Sequence, residues 1–271
     1  MLPLPSQIPY LSPQYVGDKK SSGRTQPYQM VCESGADDPG YIVKLWAHPE
    51  VSLGKHSLAR EVYGSLLAKS FGIQTPDIAI IEISPDFYRS QPTQNEEKVK
   101  LLKDSAGLNF GSKYIPGAVI FSPPVPKNKC SEAAKIFCFD MLLGNVDRQV
   151  ERPNLFDMPN GFVVFDHEQA FPYSRPNTMV GGFPPCWDFI KESWHKKHVF
   201  YQSLRNHDCS LEIEEFMTFV GCISDDLLDT IEDQIPGDWR SGDGVQYIRS
   251  YLANIRNNQD RFKRSLQEIL A

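Results

Sequence analysis

Two acids and an amide fall close together in Leu143-Gly-Asn-Val-Asp147-Arg-Gln-Val-Glu-Arg-Pro-Asn154-Leu-Phe and the Phe162-Val-Val-Phe-Asp166-His-Glu that follows. Asp147 and Asn154 share one irregular segment. Asp166 ends a short apolar run that reads as a strand entering a turn. A loop Asp can orient a hydroxyl and take its proton. An Asn and a second Asp can supply hard oxygen ligands to Mg²⁺ bridging nucleotide phosphates. Asp and Asn are also ordinary loop residues, because they accept local backbone hydrogen bonds. The triple therefore carries weight only if the chain also offers a phosphate cradle and a lysine to pair with it.

Candidates for both lie upstream. Gly17-Asp-Lys-Lys-Ser-Ser22-Gly23-Arg24 precedes a predicted strand at Tyr28 to Cys32. Its glycines can bring backbone N–H groups to phosphates, and Lys19, Lys20 and Arg24 add positive charge; a solvated turn has the same composition. Tyr41-Ile-Val-Lys44-Leu-Trp46 reads as a strand with a lysine amid apolar residues. Lys44 is either on a solvent face or paired with phosphates and held by a carboxylate. Glu61 is the carboxylate at hand, on a predicted amphipathic helix that begins near Ser57 and is closed by Gly72. It sits at the margin of that helix's apolar face, so it either reaches Lys44 or is a surface acid.

The elements that must position these groups segregate along the chain. The N-terminal part is strand-rich, with a β-branched run at Asp77–Ile83 and a further strand at Asn109–Ile115. Residues 84–105 read as an insertion or short helix, and residues 122–128 as a proline-rich connector. A helix follows over 131–143, with Ser131 as N-cap, and delivers the chain to Asp147. A long loop around Gly181-Gly-Phe-Pro-Pro suggests a substrate-facing segment. Helices are predicted at 195–206, 210–223, 224–234 and 243–269. This order implies an α+β protein of two lobes with a cleft between them, residues 1–117 and 118–271.

A net charge of −6 argues against a general nucleic-acid binder. No apolar run approaches the ~20 residues that cross a bilayer, so no membrane association is expected. The N-terminus has no signal-peptide pattern, and the six cysteines show no regular spacing. Both features lead to the expectation of reduced thiols in a cytoplasmic protein. His195-Lys-Lys-His198 places two imidazoles within reach of one helical face, without a third metal ligand nearby in sequence.

In this order, on these element types, the chain resembles the HipA-like kinases, a bacterial branch of the protein-kinase-like superfamily that is also similar to phosphatidylinositol kinases. The likeness runs from about 17 to 260. It rests on Gly23-Arg-Thr-Gln-Pro, Tyr41-Ile-Val-Lys44, Glu61, Leu143-Gly-Asn-Val-Asp147-Arg148, Pro153-Asn154-Leu155 and Phe165-Asp166-His167. It implies a bilobal kinase-like fold, ATP and Mg²⁺ as cofactors, and transfer of a phosphoryl group to a serine or threonine hydroxyl. It implies Lys44 on the α/β-phosphates with Glu61 positioning it, Asp147 as catalytic base, and Asn154 and Asp166 as metal ligands. The stretch from Gly17 to Arg24, with Ser22 and Gly23, would cover the phosphates, and Lys113, Tyr114 and Ile115 would form the adenine hinge. Ser21 and Ser22 are candidates for autophosphorylation or plain turn serines. Where HipA has a His after the Asp-Arg pair, this chain has Gln149, and Asn154 lies further from Asp147 than the family's asparagine. The chain is also shorter than HipA at its N-terminus, so antitoxin-type contacts are not implied. The acceptor stays open between a protein and a small molecule, and a silent nucleotide-binding module is the third possibility.

Overall fold

The computed structural model describes residues 2–19, 27–32, 40–49, 54–92, 95–171, 191, 193–240 and 244–271. Ser21, Ser22, Gly23, Arg24 and the Gly181–Pro185 stretch lie outside them. The architecture is α+β.

Six strands form the larger sheet: β1 (Tyr10–Leu11), β2 (Pro13–Lys19), β3 (Tyr28–Cys32), β4 (Tyr41–Lys44), β5 (Ile78–Ile83) and β6 (Gly107–Lys113). Their order is β1-β5-β6-β4-β3-β2; β1 runs parallel to β5 and every other pair is antiparallel. The period-two alternation of β5 supplies both faces. Ile78 and Ile80 enter the main core, whereas Ala79, Ile81 and Ile83 enter a second core with Met30, Val43, Phe87 and Leu102. The expected insertion at 84–105 is a pair of helices, α2 (Pro85–Ser90) and α3 (Glu96–Asp104), whose Phe87 and Leu102 cover that second face. Ser84 and Asn95 cap them by accepting the N–H groups of Phe87 and Lys98. Gly17, expected in a glycine loop, lies within β2 beside a register shift, and its carbonyl accepts from Lys98 Nζ at 3.0 Å. The seven-residue β2 runs through it because a bulge absorbs the irregularity.

Helix α1 (Lys55–Ser70) crosses behind the sheet. It ends in a Schellman motif: Gly72 is left-handed (φ 66°), its N–H donates to Lys69, and the Ile73 N–H donates to Ala68. The sequence predicts an amphipathic helix here. Instead α1 is buried on nearly every side, including Ser57, Arg60, Glu61 and Ser65. One side meets the sheet and another meets α7 (Asp225–Glu232), so its polar residues face neighbours rather than water.

The second half is helical around a small sheet of β7 (Val119–Ile120), β8 (Leu155–Met158) and β9 (Gly161–Val164), in that order. Helix α4 (Cys130–Leu143) is the apolar centre of this half and packs on α6 (Ser210–Gly221). It begins one residue before the expected Ser131 cap, because a 3-10 turn over Lys127–Lys129 runs straight into it. The stretch 195–206 is a 3-10 turn (Ser193–Lys197) and the short α5 (Tyr201–Leu204). The predicted 243–269 helix is two, α8 (Gly244–Asn257) and α9 (Gln259–Leu270). At the break, the Asn258 side chain donates to the Asn254 carbonyl at 2.9 Å, a local bond that competes with the helical ladder. Apolar periodicity continues through both pieces and hides the break. No helix among the described residues is long and apolar enough to cross a membrane.

Candidate active site

Lys44 is the last residue of β4, paired in register with Phe110 of β6. Its side chain leaves the sheet toward α1, where Glu61 is 1% exposed. Their ammonium and carboxylate are in direct contact. Lys44 Nζ also lies 2.7 Å from Asp166 and 3.0 Å from Glu168. An ammonium has three N–H donors, and three carboxylates here take them. Burial alone would lower the Lys44 pKa, but the carboxylates of Asp166, Glu61 and Glu168 hold it well above the ordinary lysine value.

Glu61 fixes two elements at once. One oxygen meets Lys44, and the other accepts the His167 N–H at 2.7 Å. One turn-forming segment, 166–171, is thereby tied to α1. A second tie is Arg60 Nη1, which donates to the Ala170 carbonyl at 3.1 Å. Gly64 permits this close approach: a Cβ there would lie 2.5 Å from His167 Cβ. Burial pushes the Glu61 carboxyl up to about 7 against the pull of the lysine. Burial works on Asp166 in the same direction, but the Lys44 ammonium and its hydrogen bond prevail and hold Asp166 below the usual range.

The β8–β9 hairpin gathers the oxygen donors. Leu155 pairs with Val164, so Asn154 before β8 and Phe165-Asp166 after β9 share one end. The Phe165 N–H donates to the Asn154 carbonyl at 3.0 Å. Asn154 and Asp166 both have left-handed backbones, φ 47° and 63°. Among non-glycine residues, Asn and Asp adopt that region most readily. The Asn154 amide donates toward Asp147 Oδ2 at 3.4 Å. Burial and the nearby Asp166 carboxylate raise the Asp147 pKa, which suits a group that accepts a proton.

Lys44, Glu61, Asp166, Asn154 and Asp147 thus form one connected constellation. The residues expected to form the hinge lie at the end of β6 and just beyond it. Lys113 ends β6 and donates its N–H to Asp77, and the Tyr114 N–H donates to Gly40 at 2.9 Å. The Ile115 carbonyl accepts from Ala118. His198 does not join a metal pair with His195; its Nε2 lies 3.0 Å from Asp140.

Sequence reasoning missed Glu168. Periodicity offered no signal for it, because the strand ends at Val164 and the left-handed turn at Asp166 is what brings Glu168 back beside Lys44. Glu61, Asp166 and Glu168 offer ligand oxygens all within 4.8 Å of one another. Hard carboxylate oxygens are the donor set that suits Mg²⁺, so these residues fit such an ion.

A family profile, that of the HipA-like kinases, matches residues 14–266, nearly the whole chain. The chain belongs to the HipA-like kinase family. No curated protein and no solved structure matches it. Membership in the HipA-like kinases supports a kinase-type function in general, with the ATP and divalent-metal use that such a family implies.

Proposed function

We propose that this chain is an ATP- and Mg²⁺-dependent serine/threonine protein kinase, with residues 1–117 as its nucleotide-binding lobe and 118–271 as its catalytic lobe. The observation that carries the reading is the contact of Lys44, from the sheet-rich half, with Asp166, from the helical half, at 2.7 Å. Two groups 122 residues apart meet where phosphates and metal would have to be held together.

In this reading Lys44 pairs with the α/β-phosphates, and Glu61 keeps its ammonium pointed at them. Asp166 and Asn154 hold Mg²⁺, with Glu168 as a further carboxylate. The ion, when bound, neutralises charge that develops on the transferring group. Asp147 orients the acceptor hydroxyl and takes its proton as the new O–P bond forms and the bond from the γ-phosphorus to the β,γ-bridging oxygen breaks, releasing ADP. Its raised pKa strengthens it as a base. The stretch from Gly17 to Arg24 covers the phosphates, and residues 113–115 line the adenine.

The test is transfer of label from γ-labelled ATP to protein substrates and to the chain itself, with Mg²⁺ present. Wild type is expected to transfer label and Asp166→Asn to transfer at most about a hundredth as much. Equal transfer by both would overturn the reading. Nucleotide binding without turnover on any acceptor would instead favour a silent binding module.

A further inference from the structure

One carboxylate outside the constellation is linked, through the groups that bond it, to the backbones of Asp147, Asn154 and Phe165. Asp140 lies on α4, wholly buried in an otherwise apolar stretch with Phe137, Cys138, Phe139, Met141 and Leu142. A buried carboxylate needs several donors. Asp140 has three. Oδ1 accepts from Asn145 Nδ2 at 3.0 Å; Oδ2 accepts from Arg148 Nε at 2.6 Å and from His198 Nε2 at 3.0 Å.

Each donor passes the constraint on. Asn145 Oδ1 accepts the Asp147 N–H at 3.4 Å. Arg148 Nη1 donates to the carbonyls of Asn154 and Phe165, the latter at 3.1 Å. Those carbonyls belong to, or directly precede, the two left-handed residues Asn154 and Asp166. A strained backbone persists only where its surroundings over-determine it, and the guanidinium supplies that constraint. His198 holds the third side. Its Nδ1 accepts the Phe200 N–H at 3.2 Å, so Nε2 carries the proton that Asp140 receives. The Val199 N–H also donates to the Arg148 carbonyl at 3.1 Å.

We propose that Asp140 and His198 are positioning residues for phosphotransfer: through Asn145 and Arg148 they set the backbones of Asp147, Asn154 and Asp166, and so govern metal affinity and turnover rather than nucleotide contact. The inference rests on the kinase reading above. Lys44 and Glu61 have no direct bond to this network, so nucleotide held by that side is expected to be little changed when it is broken.

The experiment uses the full chain and three variants: Asp140→Asn, His198→Met, which removes the donor, and His198→Gln, which returns an N–H donor at similar reach. Binding of adenylyl imidodiphosphate is measured by calorimetry without metal and across a Mg²⁺ titration. Steady-state rates are measured alongside. Wild type and all variants should bind the analogue alike without metal. The Mg²⁺ concentration for half-effect should rise about 10–100-fold in Asp140→Asn and His198→Met, the usual scale for partners that orient metal ligands. kcat should fall while the KM for ATP moves less than about threefold, and His198→Gln should recover most of both losses. Circular dichroism checks folding, and if Asp140→Asn does not fold, the two His198 variants carry the test. Unchanged Mg²⁺ dependence in folded His198→Met would overturn the positioning role alone. Failure of the wild type to bind the Mg²⁺–nucleotide pair would overturn the kinase reading itself.

Discussion

Lys44 on β4 lies 3.0 Å from the Glu168 carboxylate, across 124 residues of chain. With Glu61 and Asp166 also in contact, every N–H of the ammonium is taken. A phosphate can be received only if one carboxylate lets go. Glu168 has the longest of the three contacts, and its position beside Asp166 lets it turn to a metal instead.

Glu168→Gln should therefore loosen the grip on Lys44. Metal-free ATP is expected to bind more tightly than to wild type, by about three- to tenfold, since one competing charge is gone. The gain from adding Mg²⁺ should shrink in the same variant. Titration calorimetry with and without Mg²⁺ reads both. Weaker metal-free binding would show that Glu168 does not compete with the nucleotide.

Gly64→Ala sets two effects against each other. Alanine in a helix interior gains about 1 kcal/mol over glycine. Its Cβ would lie 2.5 Å from His167 Cβ, a distance that forces α1 and the 166–171 segment apart. Overpacking of this kind costs about 1–3 kcal/mol, so the net is a loss of stability. The Glu61–His167 bond should loosen with it. A higher melting temperature for Gly64→Ala in differential scanning calorimetry would refute the steric account.

Asp140 gives a pH signature. Burial would raise its pKa, but the Arg148 guanidinium and His198 hold it well below the carboxylate range. A depressed folded-state pKa means that the stabilisation is complete above the unfolded value of about 4 and disappears as pH falls through the folded value. Asp140→Asn should thus cost about 3–5 kcal/mol at pH 7, the scale for breaking a buried ion pair. The gap from wild type should hold between pH 7 and pH 5 and narrow below about pH 4. Urea melts across that range test it; a constant gap down to pH 3 would rule it out.

The legible parts of this chain were those whose chemistry dictates residue type and order. Lys44, Glu61, Asp147, Asn154 and Asp166 could be named as a group because few residue types suit the chemistry expected of them, and the β-branched run of Asp77–Ile83 announced the strand β5. What stayed hidden depended on contacts between distant segments. Arg60, Glu61 and Ser65 look like the wet side of a helix until the rest of the fold covers them. His198 meets Asp140 across 58 residues, and no local pattern links the two. The one available sign was Asp140 itself, a charge inside an apolar helical run, where a buried acid must find donors. Asn258 broke a helix through a side-chain bond that periodicity does not register.

The left-handed backbones at Asn154 and Asp166 bear on which inactive forms are worth making. Alanine at either place would impose steric strain as well as deleting an oxygen, so a dead alanine protein would confuse misfolding with lost chemistry. Asparagine at 166 tolerates the same turn while removing the charge. Immobilised on a resin as bait, that form keeps its shape and is the better choice for retaining acceptors that the wild type would modify and release.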